Sequence, residues 1–206
     1  MTGRITIDLF TTLDLVAQAP GGPEEDTSGG FPFGGWQAPL PDDLVGREVM
    51  AGIDKLDALV LGRKTYDIFA AYWPHHDGGG IGPKFDRIPK YVASRGTPTL
   101  DWAGTTQLGP DAAADVAALR ERHENIHIIG SIDFVQTLLA EKAFDELVLW
   151  VYPIVLGQGK KVFPDGATPA NLRLLAPPVA GSSGAVSLHY GPAAGIPQTG
   201  DMTTED

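Results

Sequence analysis

Apolar and polar residues alternate from the start of the chain. Within Arg4–Thr12, Ile5, Ile7 and Leu9 recur at every second position, the period of a strand that buries one face. The unbroken apolar run Ala58–Leu61 predicts a strand buried on both faces. It stops at Gly62 and turns into a helix over Lys64–Tyr72. Before it, Pro41-Asp42-Asp43 supplies an N-cap and first-turn acids for a helix reaching about Ile53. Further strands are predicted at Lys90–Ala93, Ile126–Ile129, Glu146–Pro153, Leu172–Ala176 and Ala185–Tyr190. Helices are predicted from Pro110-Asp111, with Val116 and Leu119 on one face, and over Phe134–Ala140. Residues 18–41 and 74–88 read as Gly- and Pro-rich loops, and 97–109 as a polar connection. Strands that alternate with helices early and follow short turns late predict an α/β fold. The expected architecture is a mixed, mostly parallel sheet flanked by helices, in a single domain over residues 1–191. Residues 192–206 are small, polar and acidic, and predict a disordered tail.

Composition narrows the function classes. A net charge of −11 argues against nucleic acid, which requires a basic face to displace counterions. The absence of cysteine excludes disulfides, thiolate metal sites and cysteine nucleophiles. No apolar run approaches the ~20 residues that span a membrane. The N-terminus lacks the basic-then-apolar pattern of a secretion signal, so a cytoplasmic location is expected.

Against that acidic background three strand ends stand out. Gly62-Arg63-Lys64-Thr65 opens a helix, whose first N–H groups and dipole favour an anion, with a basic pair beside them. Gly62 would let the anion approach the backbone. Lys90-Tyr-Val-Ala-Ser-Arg95 ends a strand in a hydroxyl and a guanidinium, and Ile126-His-Ile-Ile-Gly-Ser131 runs into small residues before a helix. Together they suggest a nucleotide cofactor with several phosphates. Each basic spot alone reads equally well as solvated surface. His75-His76-Asp77 lies in a Gly-rich loop without ligands at helical spacing, and His123 and His127 would not share a face, so no metal is expected.

In combination these segments resemble the dihydrofolate reductase-like family. The similar branch includes the reductase domain of bacterial riboflavin biosynthesis and many stand-alone bacterial homologues. The resemblance is carried by Leu61-Gly-Arg-Lys-Thr-Tyr-Asp67, Lys90-Tyr-Val-Ala-Ser-Arg95, His127-Ile-Ile-Gly-Ser131 with Val135-Gln-Thr-Leu-Leu139, and Asp145-Glu-Leu-Val-Leu-Trp150 running into Tyr152-Pro-Ile-Val-Leu-Gly-Gln-Gly159. Ala19-Pro-Gly-Gly-Pro-Glu-Glu-Asp26 and Gly34-Gly-Trp36 look like the stand-alone branch. The resemblance implies NADPH. Leu61, Gly62, Arg63, Lys64 and Thr65 would lie at its phosphates, and Ser94 and Arg95 by the adenosine and its 2′-phosphate. Ile129, Gly130 and Ser131 would meet the pyrophosphate, with Phe134 and Val135 behind. An arginine fork suits a phosphate better than a ribose hydroxyl, which favours NADPH over NADH. Two departures are visible: Leu13-Asp14-Leu15 replaces the family's Leu-Asp-Gly, and Gly130-Ser131 replaces a Gly-Gly pair.

The resemblance also places a catalytic carboxylate on the helix after the long loop, where Asp43 falls. The alternative is that Asp42 and Asp43 only cap that helix. Trp36, Tyr72 and Trp73 are the aromatics on which a flat heterocycle would stack, with core packing as their other use. A homodimer through the Asp145–Pro153 strand is expected by resemblance. The function so read is NADPH-dependent reduction of a small pteridine- or pyrimidine-like substrate at C=N or C=O. The alternative is a non-catalytic nucleotide-binding or sensor protein on the same fold.

Overall fold

The first strand becomes the centre of the sheet because both of its edges find partners. The computed structural model describes residues 2–202, and the end of the expected tail, residues 203–206, lies outside the described residues. In chain order the strands are β1 (Arg4–Thr12), β2 (Ala58–Gly62), β3 (Lys90–Ala93), β4 (Thr105–Gln107), β5 (Asn125–Ile128), β6 (Glu146–Tyr152), β7 (Leu172–Leu174), β8 (Val179–Ala180) and β9 (Val186–Pro192). The α-helices are α1 (Asp43–Lys55), α2 (Arg63–Tyr72), α3 (Ile81–Arg87), α4 (Ala112–Ala118) and α5 (Ile132–Ala140). They build a nine-stranded sheet in the order β4-β3-β2-β5-β1-β6-β9-β7, with β8 on β9. Pairings from β4 across to β6 are parallel, and those to β9 are antiparallel. This is the single-domain, mostly parallel mixed sheet that the sequence pattern predicts.

Alternation along β1 divides the core. Ile5, Ile7 and Leu9 face α4 and α5, in one cluster with Val116, Val135 and Leu138. On the other face Leu59, Leu61 and Val92 pack with Ile53 of α1, Tyr66 of α2 and Phe85 of α3. A third cluster joins Trp150 and Tyr152 of β6 to Val45 and to Phe31 and Trp36 of the long loop. The loop aromatics thus divide: Phe31 and Trp36 are buried, at 6% and 7% exposure, whereas Phe33 is 40% exposed.

Three elements arise where the sequence predicts loop or connection. Helix α3 lies in the Gly-rich segment, because Pro83 occupies its first turn, where a missing N–H costs nothing, and Phe85 anchors it in the core. Strand β4 is a short edge strand without apolar alternation, and β8 spans only two residues. Helix α5 begins at Ile132, earlier than the predicted Phe134, and β9 continues to Pro192.

Lys90 has a structural duty inside what reads as a cofactor motif. It is fully buried, and its Nζ donates to the carbonyls of Phe85 (2.7 Å), Ile88 (3.0 Å) and Asp86 (3.3 Å) at the end of α3. It also lies 4.6 Å from the centre of the Trp102 ring. A cation here satisfies helix-end carbonyls that have no other intrahelical partner. Lys90→Met keeps the volume and leaves those carbonyls dry, so urea unfolding should show a loss of about 3 kcal/mol with an unchanged m-value.

Candidate active site

Strands β2 and β5 are parallel neighbours, yet the chain leaves them toward opposite faces. After β2 it enters α2, which packs with Tyr66 against the α1 side; after β5 it enters α5, which packs with Val135 on the other. Such a divergence opens a crevice at the carboxyl ends of the strands. Here its floor is a contact between the two strand ends. A methyl group on Gly62 would lie 2.7 Å from both the backbone N and the Oγ of Ser131, and one on Gly130 would lie 2.7 Å from Thr65 Oγ1. The Thr65 N–H donates to Ser131 Oγ at 3.0 Å, and the two hydroxyls are 3.1 Å apart. Ser131 therefore caps α2, whose own N-cap Gly62 has no side chain to do so. The glycine at 62 is required first by this approach to Ser131, rather than by room for an anion. With its hydroxyl committed to α2, Ser131 makes no side-chain cap for α5.

Above this floor lies a cleft of about 240 Å³. Thr65, Ile129, Gly130 and Ser131 line one end, and Phe10, Phe69 and Trp73 form apolar walls. Residues 17–21, with Glu25, Asp26 and Gln37, close over it from the long loop, and Lys64 and Lys160 stand at its rim. Gln18 holds that loop down. Its Nε2 donates to the carbonyls of Asp26 (2.9 Å) and Ser28 (3.0 Å), its Oε1 accepts from Lys160 N (3.0 Å), and its carbonyl accepts from Trp36 Nε1 (2.8 Å). Asp26 then clamps the rim, accepting from Lys64 Nζ and from Lys160 Nζ at 2.9 Å. Burial opposes its charge, but the hydrogen bonds from Lys64, Ser28 and Lys160 outweigh it and hold the carboxyl below its ordinary range. Burial, aided by the neighbouring charge of Asp26, prevails at Glu25, whose acidity is weakened although it accepts from the N–H groups of Gly21 and Gly22.

Asp8 of β1 lines the same cleft. Its Oδ1 accepts from Trp150 Nε1 at 2.7 Å. Burial pushes its carboxyl from 3.8 up to about 6, against the opposing effects of Trp150 and His189. Sequence reading passed over it as one polar position of an alternating strand. The signal was available: on a central strand of a sheet covered on both faces, an inward acid needs a reason.

The predicted site residues fall into groups. Lys64, Thr65, Ile129, Gly130, Ser131 and Trp73 meet in the cleft. Leu61 and Val135 are fully buried and Phe134 nearly so, all three in the core. Arg63 and Arg95 lie outside the cleft on the same edge of the sheet. Arg63 Nε reaches both oxygens of Asp67 at 2.8 Å, and Ser94-Arg95 follows Ala93, which pairs with Gly62. Trp36 packs on Tyr152 with ring centres 5.7 Å apart, and Tyr72 is exposed and stacked on His76 at 3.8 Å. Asp43 is exposed on the first turn of α1, where Asp42 is the cap, accepting from Leu44 N and Val45 N. None of these three residues lines the cleft. Leu15, at the position of the missing family glycine, has φ +62°, the left-handed conformation that glycine adopts freely.

A larger cavity of about 480 Å³ lies between α5 and residues 162–172. Its only charged lining side chains are Lys142 and Asp165. Polar groups converge instead at the smaller cleft, which we take as the site.

The pattern of the RibD C-terminal domain matches residues 4–178. The chain belongs to that family. The uncharacterized protein YwjB of Bacillus subtilis (strain 168) is 31% identical over 136 residues, covering 66% of this chain and 73% of that protein. Among solved structures, a pyrimidine reductase-like protein from Corynebacterium diphtheriae superposes with a TM-score of 0.62 at 12% identity, covering 94% of this chain and 93% of the other. Dihydrofolate reductase from Enterococcus faecalis, complexed with NADP(H), gives 0.56 at 17% identity, covering 94% and 99%. The likeness to these structures is one of fold. The contact between strand ends yields a direct test within this RibD-type domain. Gly62→Ala forces a methyl against backbone, so it should lower stability by about 2 kcal/mol in urea unfolding.

Proposed function

We infer that this RibD-type domain is an NADPH-dependent reductase of a small planar heterocycle, pteridine- or pyrimidine-like, acting at C=N or C=O. The observation that carries the reading is the crevice between β2 and β5, where two helix N-termini, Thr65, Gly130, Ser131 and Lys64 border an aromatic-walled cleft. The donor set fits a dinucleotide. Helix α5 lacks a side-chain cap, so its leading N–H groups suit the pyrophosphate, and Lys64 suits a neighbouring phosphate. Arg63, Ser94 and Arg95 lie farther along the same edge, where the adenosine end and its 2′-phosphate would be held. A cleft of about 240 Å³ takes flat rings rather than a whole dinucleotide, so the remainder would extend along that edge. Leu61, Gly62, Ile129, Phe134 and Val135 support the binding surface from beneath. When bound, the nicotinamide would supply hydride. Phe10, Phe69 and Trp73 would hold the heterocycle flat and exclude water.

A second reading, a nucleotide-binding or sensor protein without turnover, draws on Leu15, which holds a left-handed backbone conformation where the resemblance leads one to expect glycine. The two separate on whether bound NADPH is consumed when candidate heterocycles are added. A cytoplasmic homodimer belongs to the same proposal, and light scattering at the monomer mass would remove the dimer.

Titration with NADPH and NADH should show preference for NADPH. Stability should rise by about 2.7 kcal/mol at roughly 100-fold saturation, and the affinity should fall in Arg63→Ala and Arg95→Ala. Absence of binding by either nucleotide would sink the reductase reading. Asp43→Asn should leave turnover unchanged, because that carboxylate stands outside the cleft; a large drop in kcat would return it to the mechanism.

A further inference from the structure

Asp8 occupies a position where the sheet offers little need for a carboxyl. Strand β1 is paired on both edges, and its opposite number on β6 is Val148, with Phe10 facing Trp150 one step along. The indole N–H of Trp150 fixes Oδ1, and Asp8 lines the cleft that Phe10, Phe69 and Trp73 also line. A ring that fills this cleft of about 240 Å³ would share it with Asp8, Gly130 and Ser131.

The surrounding charges come from several elements. From β6, Glu146 disfavours the carboxylate; from β9, His189 favours it. Those two are bonded to each other at 2.8 Å, and Arg4 holds the other Glu146 oxygen at 2.9 Å. His127 of β5, whose protonation burial suppresses, and Glu48 of α1, which acts on His189, complete that face. At the mouth, Lys64 and Lys160 are paired with Asp26, and Glu25 adds a further acid. No free cation of this set is bonded to Asp8.

We propose that Asp8 is a catalytic acid of the cleft, whose carboxyl donates a hydrogen bond to a ring nitrogen of the substrate and yields its proton as the adjacent carbon is reduced. In that step Asp8 loses a proton to nitrogen while the neighbouring carbon gains hydride. The C=N π bond breaks, C–H and N–H bonds form, and a dihydronicotinamide supplies the electron pair and is oxidised. A proton taken up from solution at the cleft mouth then restores the carboxyl, so each turnover consumes one proton. The redox half rests on the reductase reading; the hydrogen bond does not. With its acidity weakened to about 6, the carboxyl is a donor below that pH and only an acceptor above it.

Quinoxaline is a suitable probe, being flat, with two acceptor ring nitrogens and no titration of its own between about pH 5 and about pH 8. Its dissociation constant for the wild-type protein should rise roughly tenfold over that range, as one hydrogen bond is lost. Asp8→Asn, whose amide donates at every pH, should bind with a flat profile, and Asp8→Leu weakly throughout. The ¹⁵N-indole signal of Trp150, identified by its loss in Trp150→Phe, should show a step with a midpoint of about 6 in wild type that is lost in Asp8→Asn. A separate step at higher pH, from His189 with its ring centre 6.5 Å from the indole, should remain in both. Failure to bind quinoxaline at low pH, a flat wild-type profile, or the same slope in Asp8→Asn each overturns the proposal. With a dihydropterin as oxidant of NADPH, Asp8→Asn should lower kcat by roughly 100-fold or more while KM moves little. If NADPH does not bind, the reductase reading falls and the quinoxaline profile still judges Asp8.

Discussion

The ends of β2 and β5 approach so closely that one methyl group on either glycine would part them. Everything at the cleft is referred to that contact. It sets the start of α2 against the start of α5, lets Ser131 cap a helix 66 residues away in sequence, and fixes where Thr65 and Lys64 emerge. The cap it supplies is worth about 1 kcal/mol, but the geometric effect is larger. Two helix N-termini are brought to one point from opposite faces of the sheet, an arrangement that neither strand could produce alone.

The face of the sheet beneath α1 carries a polar stripe between apolar clusters. His127, Thr6 and Glu146 stand in register across β5, β1 and β6, and Asp8 and His189 flank Val148 on the next row. Such groups are tolerated where they are bonded: Glu146 to His189 and Arg4, and Asp8 to Trp150. Because the stripe is partly shielded from water, each charge alters its neighbours' protonation more than it would at the surface. The fold thus gives the cleft a carboxyl that holds its proton to a higher pH than an exposed aspartate would.

The large elements were legible because their periodicity is strong. Ile5, Ile7 and Leu9 marked β1, and the unbroken run ending in Gly62 marked β2. Helix α3 was hidden by its glycines and Pro83, and β4 by the lack of apolar alternation at a sheet edge. At the site, helix-start chemistry led to Lys64, Thr65, Gly130 and Ser131, since that chemistry is local. Asp8 was not legible in the same way, because what singles it out is the indole of Trp150, 142 residues away. The local sequence makes Lys90 part of a ligand motif, while its partners are carbonyls at the end of a helix that the same sequence conceals.

The clamp made by Asp26 also bears on the order in which the molecule can assemble. Its two lysines lie 38 and 134 residues further along the chain. Gln18, which seats the same loop, needs the backbone of Lys160 as well. During synthesis the N-terminal loop therefore emerges long before the segment that fastens it, and its closure depends on contacts of high sequence separation. The clamp can close only once the chain has been made as far as Lys160, by which point β1, β2, β5 and β6 have all been synthesised.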